Sequence, residues 1–144
     1  MSMNEIEELL ARGSTGRLGM CKDNQPYVVP VCFVYHDGKV FFHSARKGRK
    51  MDFMRANPTV CFQVDEHSLV SSSKPCKFTM NYHSVVAVGC VRFLIDSKEK
   101  LQILKMLVRK YAGSNLAELL SEKKTNRVEV GEITLTEISG KKND

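Results

Sequence analysis

The chain has 144 residues, 42% of them hydrophobic and 26% charged, which fits one domain (1–144) with one sizeable core and excludes a disordered chain. Its net charge of +6 at pH 7 suits an anionic partner: a phosphate-bearing small molecule, a nucleic acid or a membrane surface. No apolar run approaches the roughly 18 to 20 residues of a membrane span, so no membrane partner is expected.

The acidic, amphipathic start "MSMNEIEELLARG" lacks the basic segment and continuous apolar stretch of a secretory signal, so no such signal is expected. Within it "NEIEELLARG" predicts a helix, with Ile6, Leu9 and Leu10 on one face and Asn4 and Glu7 as the capping pair. "TGRLGMC" reads as a strand and "KDNQPY" as a turn. "YVVPVCFVYHDGKVFFHS" is the clearest hairpin, turning at Asp37-Gly38. Its Pro30 cannot donate a ladder hydrogen bond and so must face a sheet edge, a bulge or a ligand. A short helix over Arg49 to Ala56 stops at Asn57-Pro58, and "TVCFQV" is a further strand.

Residues 66–76, "EHSLVSSSKPC", read as a surface loop. "FTMNYHSVVAVGCVRFLI" reads as a long strand, bent at Gly89. "DSKEKLQILKMLVRKYAG" is the strongest helix, capped by Asp96 with Glu99 and closed by Gly113. "NLAELLSE" adds one or two helical turns. "NRVEVGEITLTEISG" closes the chain as a strand, with Ile133 and Leu135 alternating against polar neighbours. Antiparallel hairpins dominate, so the class is mainly β: a small closed or partly open barrel with flanking helices.

The five cysteines, Cys21, Cys32, Cys61, Cys76 and Cys90, are odd in number and have no C-x-x-C spacing. That argues against a disulfide framework and a zinc site, so no metal is expected, and it favours a reducing, cytoplasmic setting. Cys32 and Cys61 lie in apolar runs and are expected as buried thiols.

The most informative stretch is "FFHSARKGRKMDFMRANPTVCF", residues 41–62. A strand ends at His43-Ser44, and Arg46, Lys47, Arg49 and Lys50 follow where the helix opens. Phosphate recognition combines positive charge with backbone donors, and a helix N-terminus supplies the donors. Gly48 lets the backbone approach closely, and Ser44 adds a hydroxyl. The stretch is neither a Walker loop nor a dinucleotide fingerprint, and on the residues alone a solvated basic loop fits better than a ligand site. Phe41 and Phe42 should point to opposite strand faces, a poor stacking platform, so no nucleic-acid partner is expected.

The order "GRLGM … PYVVPV … FFHSARKGRKMD … NPTVCF … NYHSVVAVG … LVRKY" resembles the flavin-binding split-barrel family related to pyridoxamine 5′-phosphate oxidase, over roughly residues 3–138. Within it the likeness is nearest to the nitroimidazole-resistance reductases. The resemblance implies a six-stranded antiparallel split barrel that forms a homodimer, with FMN in clefts between subunits. Carried over, Pro30, Val31 and Cys32 would run alongside the flavin. His43 and Ser44 would lie near its ring system and ribityl chain, and Arg49 and Lys50 would hold its phosphate. Ser84 and Val85 would come from the partner subunit. The implied function is an FMN-dependent oxidoreductase, taking electrons from a donor such as a reduced nicotinamide and passing them to a small acceptor, a nitroaromatic among them. His43 is the candidate catalytic residue. A non-catalytic flavin module and a haem- or deazaflavin-binding relative remain as alternatives. Oxidation of pyridoxamine phosphate itself is less expected, because the chain has no tryptophan and ends "EITLTEISGKKND".

Overall fold

A computed structural model describes residues 1–75 and 77–144. Helix α1 (Met3–Arg12) starts at a capping box, in which Ser2 Oγ accepts the Glu5 N–H at 3.2 Å and the Glu5 carboxylate accepts the Ser2 N–H at 2.5 Å. The expected pair, Asn4 with Glu7, is corrected to Ser2 with Glu5. A serine three residues before a glutamate closes the reciprocal box and starts the helix earlier. Strands β1 (Gly16–Lys22) and β2 (Gln25–Val31) turn through Asp23 and Asn24, both at positive φ. Strands β3 (Phe33–His36) and β4 (Lys39–Ser44) turn through Asp37 and Gly38, as expected. There follow α2 (Arg49–Ala56), β5 (Thr59–Val70), β6 (Thr79–Phe93) and α3 (Ser97–Ala112). The short helices α4 (Ser114–Ala117) and α5 (Glu122–Thr125) lead to β7 (Glu129–Asn143).

All neighbouring strands pair antiparallel, in the order β2-β1-β5-β6-β7-β4-β3. The two edges of this sheet, β2 and β3, are consecutive in the chain, with only Cys32 between them. One run of backbone thus leaves one edge and joins the other, so the sheet curls until its edges meet. This is the expected antiparallel split barrel. It counts seven strands rather than six because the interruption at Cys32 divides one run into two. Pro26 and Pro30 both sit on edge strand β2, where a missing N–H need not break a ladder.

The interior is filled by Leu18, Phe33, Phe42, Phe62, Val64 and Val85 among others, with α1 contributing Ile6, Leu9 and Leu10. Outside the barrel wall, α3 lays Ile103, Leu104 and Leu107 on Val34, Phe41 and Val130. Phe41 and Phe42 therefore point to opposite faces, as their adjacency requires. The end of α3 also stitches the seam. Tyr111 Oη accepts the Phe33 N–H at 3.0 Å and donates to the Ser14 carbonyl at 2.8 Å, while Lys110 Nζ donates to the Phe33 carbonyl at 3.0 Å.

Two expectations need correction, and one is refined. Residues 66–70 belong to β5, not to a loop: they pair with residues 79–83, because backbone pairing does not need apolar side chains, and from Ser68 onward the pair runs as a two-stranded arm. The arm's exposed apolar residues include Leu69, Val70, Phe78 and Met80. Cys32 and Cys61 are exposed rather than buried. Strand alternation sends Val60 and Phe62 inward and Cys61 outward, and Cys32 lies at the crossover between inward-facing Val31 and Phe33. The described cysteines, Cys21, Cys32, Cys61 and Cys90, are free thiols, and Cys76 lies outside the described residues. The bend expected at Gly89 is a bulge: Val88 pairs with Glu137 and Gly89 with Leu135, leaving Thr136 unopposed.

Gly131 pairs with Phe42, and a Cβ there would fall inside the contact distance of that fully buried ring. Gly131→Ala is expected to destabilise the fold by about 1–3 kcal/mol or more in urea denaturation. Gly19→Ala, whose Cβ would stand 3.4 Å from that of Cys61, is expected to cost clearly less.

Candidate functional site

The end of β4 and the start of α2 form one corner of the molecule. Gly48, at φ 130°, occupies the helix N-cap, a backbone conformation that disfavours any side chain. Because glycine has no side chain to cap with, no side-chain oxygen bonds the N–H groups of the first turn. Arg49 and Lys50 are the first two residues of that helix.

Each polar group here has a distinct setting. Arg49 is exposed, and its guanidinium lies 4.5 Å from the Tyr27 ring centroid and 5.4 Å from that of Phe53. The two rings pack together with centroids 5.3 Å apart and planes at 54°. Lys50 is half-buried, and burial pushes its ammonium pKa down. His43 projects outward from β4. Loss of solvent around it, and then the charge of Lys50, push the imidazole below its ordinary value, so the two side chains share one electrostatic environment. Ser44 is buried, and its hydroxyl donates to the Ala45 carbonyl at 3.0 Å.

Among the described residues no carboxylate lies within 4.0 Å of Arg46, Lys47, Arg49 or Lys50. Elsewhere Arg12, Arg17, Lys39, Arg92, Lys105, Arg109 and Lys142 all have acidic partners. Four cations left together without counter-charges among the described residues, beside open backbone donors, are an arrangement that could receive an anion. An open apolar groove of about 550 Å³ adjoins it, lined by Pro26, Tyr27, Val28, Cys61 and Val88 among others.

The remaining predicted residues lie on the sheet. Pro30 and Cys32 are exposed, whereas the side chains of Val31 and Val85 face the core and leave only main-chain atoms for a ligand. Ser84 is half-buried on β6, where its hydroxyl accepts from Gln63 Nε2 at 3.3 Å. Strands β1 and β5 separate β6 from β2, a span of about 14 Å, so Ser84 and Pro30 of one chain do not converge. Of the nine predicted residues, His43, Ser44, Arg49 and Lys50 gather at one corner. His83, also considered from sequence, is held between Glu66 at 3.1 Å and Asp144 at 2.8 Å. Sequence reasoning missed Tyr27 and Phe53. The "PY" of β2 and an aromatic on α2 carry no local sign that they meet.

The profile of a family described as pyridoxamine 5′-phosphate oxidase matches residues 2–142. The chain belongs to that family. Among solved structures similar to this family member is a candidate 5-nitroimidazole antibiotic resistance protein from Bacteroides thetaiotaomicron. It has 26% identity and a TM-score of 0.84, over 96% of this chain and 82% of that one. Another is a FAD-binding protein from Mesorhizobium loti, with 30% identity and a TM-score of 0.73, over 100% of this chain and 96% of that one. A curated relative, an uncharacterized protein from Rhizobium meliloti, is 35% identical over 91 residues, which span 62% of this chain and 60% of that protein's length. Among the described residues, no helix is long and apolar enough to cross a membrane.

The pKa of His43 sets a pH dependence. Its folded value lies below the unfolded value of about 6.5, so its contribution to stability is complete above about pH 6.5 and is lost as pH falls through the folded pKa. A proton NMR titration should find the His43 midpoint below 6.5. Lys50→Met should raise it part of the way back, since partial burial remains. A wild-type midpoint at or above 6.5 would contradict this picture.

Proposed function

We propose that this chain is one subunit of a homodimeric FMN-dependent oxidoreductase, each subunit a single domain over residues 1–144. The observation that carries the reading is the set of four cations around a helix start that no side chain caps, with no carboxylate within 4.0 Å of them among the described residues. A phosphate monoester fits that receptor in charge and in donors. Arg49 and Lys50 would bind it through charge-assisted hydrogen bonds, with the first-turn N–H groups of α2 and the charges of Arg46 and Lys47 in support. His43, beside Lys50 at the strand end, would donate to or accept from the ligand and is the candidate catalytic group. Ser44 would contribute main-chain contacts and its hydroxyl.

Bound FMN would supply the redox chemistry, with electrons coming from a donor such as a reduced nicotinamide and going to a small acceptor. The name of the Bacteroides thetaiotaomicron relative supports a nitroaromatic acceptor. The chain's own work is binding, orientation and control of the local field. Pro30 and Cys32 on the exposed wall, with the main chain at Val31, would flank the ligand, and Ser84 with the main chain at Val85 would serve the site of a second copy. The roughly 14 Å between β2 and β6 supports this two-chain assembly, as does exposed apolar surface at Val28 and Val86. Neither a nucleic acid nor a membrane is a proposed partner. FAD is a second reading, favoured by the surplus charge of Arg46 and Lys47 and by the name of the Mesorhizobium loti relative.

Purified protein should be yellow and release FMN on denaturation. Release of FAD would select the second reading, and a colourless protein unable to take up either would end both. Arg49→Ala with Lys50→Ala should weaken FMN binding by about 1.5–3 kcal/mol for each charge-assisted hydrogen bond removed, with riboflavin affinity little changed. Equal loss for both ligands would remove the phosphate assignment. Light scattering should give a dimer across dilution, and a monomer with flavin bound would overturn the two-chain site. Rapid reoxidation of the reduced protein by an added acceptor separates an enzyme from a passive flavin binder.

A further inference from the structure

We infer that Tyr27 is a positioning residue that sets selectivity for the ligand's phosphate by holding the Arg49 guanidinium in place. The inference rests on the phosphate site proposed above but assigns it a new component from another element. Arginine has a long side chain, and holding one rotamer costs it substantial conformational entropy. An arginine in a salt bridge is held by its carboxylate. Arg49 has none, yet it is not loose: its guanidinium lies 4.5 Å from the Tyr27 ring centroid. Tyr27 is itself held by Phe53, a buried residue one turn further along the same helix as Arg49. Phe53 and Tyr27 thus form a fixed platform with Arg49 as its top layer. Cation–π attraction engages the flat face of a guanidinium and leaves its N–H edges free for a phosphate. An aromatic platform orients the cation without neutralising it, whereas a carboxylate would do both. Lys50 needs no such device, because the protein already half-covers its stem.

The bland reading is that Tyr27 only packs against Phe53, and the experiment separates the two. Tyr27→Phe keeps the platform, and Tyr27→Leu fills much of the space without an aromatic face. In the apo-protein, ¹⁵N relaxation at Arg49 Nε should show an ordered guanidinium in wild type and Tyr27→Phe and a mobile one in Tyr27→Leu. The riboflavin-to-FMN ratio of dissociation constants should match wild type in Tyr27→Phe. It should fall about fivefold in Tyr27→Leu, the factor that corresponds to a cation–π interaction of about 1 kcal/mol. Riboflavin affinity and the melting temperature should change little. Arg49→Ala should lower the ratio further, and adding Tyr27→Leu to it should lower the ratio no more, since both changes remove one device. An ordered Arg49 in Tyr27→Leu would overturn the inference, as would an unchanged ratio there while Arg49→Ala lowers it. Equal weakening of both ligands in Tyr27→Leu, with a lower melting temperature, would reduce Tyr27 to packing. A ratio unmoved by Arg49→Ala would instead overturn the phosphate assignment, and the relaxation result would still judge the platform.

Discussion

The backbone between Val31 and Phe33 changes from one edge of the sheet to the other, and the barrel depends on that crossing. A strand that leaves its neighbour strips its peptide groups of ladder partners, a cost that grows when they are covered. Tyr111 and Lys110 meet this cost from outside the sheet. Together they bond the N–H and the carbonyl of Phe33, and the tyrosine also reaches Ser14. The last turn of α3 is therefore a clasp on the seam, while Ile103, Leu104 and Leu107 before it cover the second apolar cluster. Phe33 is suited to the junction because its ring is fully buried against Phe62, at 4.8 Å between centroids, which anchors the chain where its hydrogen bonding changes hands.

Closure of the barrel also positions the corner at β4 and α2. Strand β4 lies between β3 and β7, so His43 and Ser44 are fixed by ladders on the β7 side while the chain beyond them is free to turn. Across the seam, β2 brings Tyr27 against α2. The corner then collects four cations that, among the described residues, no carboxylate within 4.0 Å offsets. The buried carboxylate of Glu132 shows the contrary habit, with Arg92 at 2.6 and 3.1 Å and Lys39 at 3.3 Å around it. Four neighbouring cations without such partners repel one another in the unliganded protein, and a bound anion relieves that repulsion as well as adding its own contacts.

Much of this was legible because local rules and the fold agree. Alternation in "KVFFHS", the Asp37-Gly38 turn, the Asp96 cap and the basic run before α2 all depend on neighbours in sequence. The exposure of Cys32 and Cys61 was not legible, since an apolar run does not say which face of its strand is buried. The strand at residues 66–70 was hidden because its stability comes from backbone pairing with residues 79–83, which composition does not record. Tyr27 escaped for a related reason: its partners lie on α2, more than twenty positions away, and a tyrosine in a strand is ordinarily just a strand former. The family resemblance supplied what local pattern could not, namely the order in which the pieces close.

The unopposed Thr136 has a consequence for anyone who cuts or splices this chain. Before it, Ile133 and Leu135 face the core. After it, Ile138 and Gly140 do, so the inward residues change from odd to even numbers while Thr136 and Glu137 are both exposed. Each half of β7 alone is a regular two-residue rhythm, and the halves are out of phase by one. A peptide graft, a fusion junction or a sequence alignment that treats Glu129–Asn143 as one uniform strand will be right on one side of Thr136 and inside-out on the other. That threonine works as a counted spacer, and its presence matters more than its side chain.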